Sequence, residues 1–295
     1  MFNKGAKIRG NRVNLFYRVT TSFLFIPALI YIAWAGGVYY LVLMELGIFL
    51  GTYEFFDILR EKGLRPYKTL GIIAALTLGL NAYFQSHVFT VLTPAALLFI
   101  VSVAELFRKE QREAIFHISS TIFGVIYVGW MLSHLILLNN MPSVLPLKDY
   151  YNIFHIRIKL STSFALLPFV LTWTNDSMAY FIGKRFGRHS FFSRISPKKT
   201  WEGVIGGGLS SVIAAFLYQQ FYASYLSWFD CVALGVLVAY IAPLGDLVES
   251  MIKRDVKLKD SSGIIPGHGG FLDRFDSILF TAPLIYYYLR FFAAR

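Results

Sequence analysis

Apolar runs of bilayer-spanning length recur along this chain from end to end, and that recurrence constrains its fold more than any single motif. The hydrocarbon core of a membrane takes about 20 consecutive apolar residues per helix. Segments of that kind fall at about 19–36, 38–57, 69–85, 88–107, 114–138, 161–182, 203–225, 230–252 and 277–293. A secretory signal would be one short run near the start. Charged residues make up 15% of the chain and hydrophobic ones 56%, whereas a globular chain carries about 25% charged residues. The pattern predicts an all-α, polytopic integral membrane protein of about nine transmembrane helices. The 69–85 run is short enough to be a buried half-helix instead.

Lysines and arginines set the orientation. With the N-terminus in the cytoplasm, the inner segments hold Lys4, Lys7, Arg9, Arg12 and Arg18, then the cations of 60–68, 108–112, 184–199 and 253–274. Together these are 23 of the 28. Such a bias follows the positive-inside rule, and adding or losing one span would scramble it. The net charge of +11 therefore collects on one face, where it suits an anionic lipid surface and nucleotides, not nucleic acid. The first 18 residues, basic and aromatic, read as an interfacial anchor. A single cysteine, Cys231, excludes an internal disulfide and a cysteine-rich metal site. The polar interruption at 139–160 is predicted to be an outer loop. It divides an N-terminal membrane region of about five spans, 1–138, from a C-terminal catalytic region of about four, 161–295.

Residues that carry chemistry begin after that seam. Asn175, Asp176 and Ser177 interrupt the sixth apolar run, and Asp176, Tyr180 and Lys184 share one helical face. An intramembrane carboxylate faces a cavity or a partner, which leaves open both an ion or substrate site and an internal ion pair. In the next loop, Ser196-Pro197-Lys198-Lys199-Thr200-Trp201-Glu202-Gly203 leads into a helix opening at Gly206, Gly207 and Gly208. Thr200 is its candidate cap. Lys198 and Lys199 ahead of a helix N-terminus make an anion site. A plain positive-inside loop explains that charge but not so particular a run.

The segment from Ser250 to Ser277 is the most informative. Just before and into it, Asp246, Glu249, Ser250 and Lys253 line one helical face beyond Pro243, which frees backbone carbonyls one turn back. After the turn Pro266-Gly267-His268-Gly269-Gly270, Asp273 and Asp276 stand one turn apart at the start of the ninth helix. Glycines let a backbone approach phosphate closely. Asp246, Asp273 and Asp276 offer hard oxygen donors suited to Mg²⁺, whose other partners are often substrate phosphates. Lys253, Arg254, Lys257, Lys259 and Arg274 would neutralise charge on transferred phosphates. His268 is compatible with a phosphate donor, an acid–base group or a loop residue. Charge this dense at a membrane surface has no packing reason.

These residues resemble the signature of the phosphatidate cytidylyltransferases (CDP-diacylglycerol synthases). Ser250, Lys253, Arg254, Lys259, Asp260, His268, Gly269, Gly270, Asp273, Arg274 and Asp276 meet each of its fixed positions, and the flanks around Asp176, Ser196–Gly203 and Gly245–Ser250 are also similar. The likeness covers roughly 173–277; the N-terminal half shares only the multispanning character. It implies transfer of the cytidylyl group of CTP to phosphatidate in a bacterial-type inner membrane, at a site on the cytoplasmic face. It also implies a homodimer and Mg²⁺, either alone or with a second cation. Asp246 and Asp273 would bind the metal, with Asp276 and Asp176 beside them. Lys253, Arg254, Lys259, Asp260, His268 and Arg274 would be catalytic, with Asp260 orienting a neighbouring lysine. Lys198, Lys199, Thr200, Ser250, Gly269 and Gly270 would bind substrate.

Two other classes compete. A CTP-dependent lipid kinase would transfer the γ-phosphoryl group to a lipid alcohol and release CDP, which the full signature argues against. A transporter would use Asp176 and Asp246 as ion ligands, but transporters tend to show paired broken helices in two related halves. Here the polar features crowd into one half and one face.

Overall fold

The computed structural model describes residues 23–109, 113–143, 150–153, 156–258, 260–262 and 269–293. The basic first 18 residues, Lys259 and His268 lie outside these. Helices α1 (Phe23–Ala35), α2 (Gly37–Glu61), α3 (Lys68–Phe84) and α4 (His87–Leu106) lead to α5 (Ala114–Gly124). That helix runs through a π-helical turn, Val125–Trp130, into α6 (Met131–Asn139). A hairpin of β1 (Tyr150–Ile153) and β2 (Ile156–Lys159) precedes α7 (Leu160–Phe186). A second hairpin, β3 (Ser190–Phe192) and β4 (Ser196–Thr200), precedes α8 (Trp201–Phe221), α9 (Trp228–Asp255) and α10 (Leu272–Tyr288).

The described chain is helical where its apolar pattern requires. Four stretches are long and apolar enough to cross a membrane: Val88–Leu106, Ala114–Asn139, Trp201–Phe221 and Trp228–Asp255. Large apolar side chains such as Phe99, Val91 and Leu209 stand outward, as they do where the surrounding medium is lipid. The all-α expectation holds, with two short hairpins added to the helices. In the polar interruption at 139–160, Ile156 and Ile158 alternate with Arg157 and Lys159 at the period of a strand, and Tyr150 pairs with Lys159 in an antiparallel ladder.

The C-terminal helices pack in sequence, α7 on α8, α8 on α9 and α9 on α10, while α6 touches α2, α3, α7 and α10 and joins the halves. Helix α8 opens at Trp201, earlier than its three glycines suggest, because the Thr200 hydroxyl accepts from the Gly203 amide at 3.2 Å. The glycines instead set how near its neighbours come. A Cβ at Gly207 would lie 2.8 Å from the Asn175 carbonyl oxygen of α7. Small residues let helices close in this way where no hydrophobic force drives them together. On the facing side, Gly235 of α9 presses on the backbone of Val212. A capping box between Ser227 and Asp230 starts α9.

A Cβ at Gly235 would stand 2.5 Å from the Val212 Cα, so one backbone must yield. Gly235→Ala should cost about 1–3 kcal/mol by overpacking, read as a lower Tm in detergent; an unshifted Tm would mean that α8 and α9 are free to separate.

Candidate active site

The end of α9 carries its charges inward, where the bundle must compensate them. Lys253 is buried, and its ammonium lies 2.6 Å from Glu249 Oε2 and 2.5 Å from Asp273 Oδ1. The four-residue step from Glu249 to Lys253 puts both on one helical face, and α10 supplies the third member. Asp273 is filled further. It accepts from the Gly270 amide at 2.8 Å, the Ser261 amide at 3.0 Å and the Ser261 hydroxyl at 3.1 Å. Gly269, at φ +81°, turns the chain into this arrangement; a side chain there would be strained and would meet Asp273 Oδ2 at 2.7 Å.

One turn back along α9 is a second group. The Lys199 ammonium, delivered by β4, lies 2.7 Å from Asp246 Oδ2 and donates to the Pro243 carbonyl at 3.2 Å. That acceptor is proline's own carbonyl, not the one freed a turn earlier. Ser250 donates to Asp246 Oδ1 at 3.2 Å. Asp176 on α7 joins Asn175 at 3.2 Å and bonds to Ser277, and it lies within electrostatic reach of Asp246 and Lys199. Asp276 on α10 lies within electrostatic reach of Asp246, Glu249 and Asp176. The helices are close enough for this because a Cβ at Gly245 would sit 2.7 Å from the Asp276 carbonyl oxygen. Three helices thus aim carboxylates at one region, with Lys199 as a nearby cation.

The donor set consists of hard oxygens, the kind Mg²⁺ prefers. Among the described residues no three histidine, cysteine, aspartate or glutamate side chains are grouped closely enough to cage an ion. Mg²⁺ needs no such cage, since one or two carboxylates with water and substrate phosphates suffice. The hard oxygens of Asp246 and Asp276, with Asp176 beside them, fit that open arrangement. Asp273 fits it poorly, because its oxygens already accept from Lys253 and from the Gly270 and Ser261 amides, and share the Ser261 hydroxyl with Glu54.

The model of the cytidylyltransferase family matches residues 16–292, nearly the whole chain. The chain belongs to that family. It is 36% identical over 271 residues to the phosphatidate cytidylyltransferase of Synechocystis, covering 86% of this chain and 89% of that one. It is 33% identical to a chloroplastic phosphatidate cytidylyltransferase of Arabidopsis thaliana, over 87% of this chain and 68% of the relative. To the Bacillus subtilis phosphatidate cytidylyltransferase it is 28% identical, over 83% and 87% respectively. Membership in such a family, with four helices fit to span, makes the chain an integral membrane protein.

The fold brings Asp176, Lys199, Asp246, Ser250 and Asp276 of this family member together, and joins Lys253, Asp273 and Gly270 next to them. Other expected site residues take different positions. Thr200 Oγ1 accepts from the Gly203 amide and so caps α8. The Gly270 amide is held by Asp273, and a Cβ there would be 2.6 Å from Glu54 Oε2, so that glycine answers to packing. Lys198, Arg254, Asp260 and Arg274 are exposed, with Arg254 also donating to the Leu258 carbonyl at 3.0 Å. Lys259 and His268 lie outside the described residues. Sequence reasoning missed Glu54 of α2, Ser261 and Ser262. It also missed Tyr127 in the π-helical turn, which lies within electrostatic reach of Glu249, Asp276 and Asp246. An acid inside the apolar run of α2 was the available signal for Glu54.

Lys253→Met would leave Glu249 and Asp273 buried without their shared cation. Breaking a buried charge cluster in this way costs about 3–5 kcal/mol, so unfolding in detergent should begin well below the wild-type Tm. A melting curve that overlays wild type would show that this triad does not hold α9 to α10.

Proposed function

We propose that this chain transfers the cytidylyl group of CTP to phosphatidate, giving CDP-diacylglycerol and pyrophosphate. A phosphate oxygen of phosphatidate attacks the α-phosphorus of CTP, the bond from that phosphorus to the bridging oxygen breaks, and pyrophosphate leaves with the electron pair. The nucleophile is already an anion, so side chains have little proton transfer to perform. Their task is to hold two highly charged groups in line and offset their repulsion. The convergence of Asp176, Asp246 and Asp276 from three helices, beside Lys199, carries this reading in a chain of the cytidylyltransferase family.

The roles divide by burial. Lys198, Arg254 and Arg274, exposed at the rim, would grip the triphosphate and the lipid phosphate, with Lys259 and His268 from the same segment. Asp260 would orient a neighbouring lysine. Lys199 would pass between Asp246 and an arriving phosphate. Buried Lys253 keeps Glu249 and Asp273 compact instead of meeting substrate. Asp246 and Asp276 would hold Mg²⁺, with Asp176 beside them, and the bound ion would supply positive charge at the phosphates. The distribution of 23 of 28 cations supports nine spans, a cytoplasmic N-terminus and a site on the cytoplasmic face, where CTP and the lipid headgroup both arrive. The family resemblance adds a homodimer, which light scattering in detergent would test.

The deciding assay uses purified protein in phosphatidate micelles, with and without Mg²⁺, and identifies the leaving group. Phosphatidate-dependent pyrophosphate release should vanish without the metal. Asp246→Asn and Asp276→Asn should each lower kcat by at least about 100-fold, the scale of losing one preorganised electrostatic group. CDP as product would mean a lipid kinase, and ion flux without CTP turnover a transporter. In anionic vesicles, activity should fall as salt rises, because screening weakens the basic face. A flat salt profile would remove the charged surface from the reading.

A further inference from the structure

Both described ends of the catalytic segment are held by one residue of the other half of the chain. Glu54 lies on α2, 207 positions before Ser261, and is 1% exposed. Its Oε1 accepts from the Ser262 hydroxyl at 2.5 Å and the Phe271 amide at 2.9 Å. Its Oε2 accepts from the Ser261 hydroxyl at 3.1 Å and the Leu272 amide at 2.9 Å. Two of those donors are amides at the start of α10, where no side chain of the helix's own N-cap residue supplies a bond. The first amides of a helix have no partner within it, and negative charge is favoured there. An acid from a distant helix therefore takes the place of a local cap.

The same carboxylate ties down the chain directly after Asp260 and directly before Asp273. Ser261 joins the two acids, its hydroxyl lying 3.1 Å from both Glu54 Oε2 and Asp273 Oδ2. One hydroxyl proton serves one acceptor at a time, so the arrangement at Asp273 depends on Glu54. A second tie runs parallel, the ion pair of Lys62, the residue that follows α2, with Asp255 at the end of α9.

We propose that Glu54 is a positioning residue for cytidylyl transfer. It fixes Ser261-Ser262 and Phe271-Leu272 together, so that Asp260, Arg274 and Asp276 keep the spacing that in-line transfer needs, and it touches no substrate. The proposal rests on the reaction assigned above. It requires a carboxylate, because the Ser262 hydroxyl and the Phe271 and Leu272 amides all donate to it, the Ser261 hydroxyl is shared with Asp273, and a glutamine amide would turn a donor toward some of them.

The test compares full-length wild type with Glu54→Gln, Glu54→Asp and Glu45→Gln. Glu45 is an acid of the same helix that packs on Gly79 of α3, away from the segment. kcat and KM are measured per folded molecule, and amide hydrogen exchange is followed at Phe271 and Leu272. Glu54→Gln should lower kcat about 10- to 100-fold, the scale of a small misplacement of reacting groups, with KM for CTP little changed. Exchange at Phe271 and Leu272 should quicken. Glu54→Asp should recover part of the rate, and Glu45→Gln should match wild type. Adding Ser262→Ala to Glu54→Gln should cost less than Ser262→Ala costs in wild type, since the shared interaction is already weakened.

A Glu54→Gln protein that melts earlier yet keeps the wild-type kcat would overturn the proposal and leave a stability role alone. So would unchanged exchange at the two amides. If Glu54→Gln does not fold, Glu54→Asp and Ser262→Ala carry the same comparison. Folded wild type that releases no pyrophosphate would overturn the reaction assigned above; the exchange result then decides by itself whether Glu54 holds the segment.

Discussion

One buried ammonium organises the catalytic half of this protein. Lys253 sits between Glu249 and Asp273, and in an apolar bundle neither the cation nor its two acids could remain charged without the others. The end of α9 and the start of α10 are therefore obliged to meet there. Helix α9 ends just beyond it, where the amides of Lys257 and Leu258 return to the carbonyls of Arg254 and Lys253, a closure that puts Lys257 at φ +61°. Such a positive φ is uncommon for a residue with a side chain. Once that corner is fixed, Asp246, one turn before Glu249, and Asp276, one turn after Asp273, are brought within electrostatic reach of each other.

The charges separate into two layers with different work. Lys253 and Lys199 are wholly or largely enclosed and matched to carboxylates, so they settle the acids into a bundle that would otherwise reject them. Lys198, Arg254 and Arg274 stand at the exposed rim, where arriving phosphates would meet them. A transfer that demands positioning more than proton movement suits this division, because the inner layer is ion-paired and the outer one accessible. The close crossing at Gly245 brings the acids of α9 and α10 within reach of each other.

The N-terminal half is more than an anchor. Glu54 of α2 reaches both described ends of the signature segment, and Tyr127 in the π-helical turn lies near its acids. Helix α6 packs against helices of both halves. The seam in the sequence at 139–160 is thus not a seam in the packing.

The sequence by itself determined what is local or repeated. Apolar runs marked the helices, four-residue spacing put Glu249 and Lys253 on one face, and the Thr200 cap was readable because a cap lies within a few residues of what it caps. The signature around Ser250–Asp276 named the chemistry for the same reason: its residues are near neighbours in the chain. Other assignments waited for the tertiary structure. That Asp273 is filled by Lys253 and backbone amides, that Gly270 answers to packing, and that an acid at position 54 caps α10 all depend on which helix faces meet. Helix packing in a membrane is governed by close contacts of small residues and by satisfaction of buried polar groups. Those are pairings between distant parts of the chain, and no local spacing encodes them.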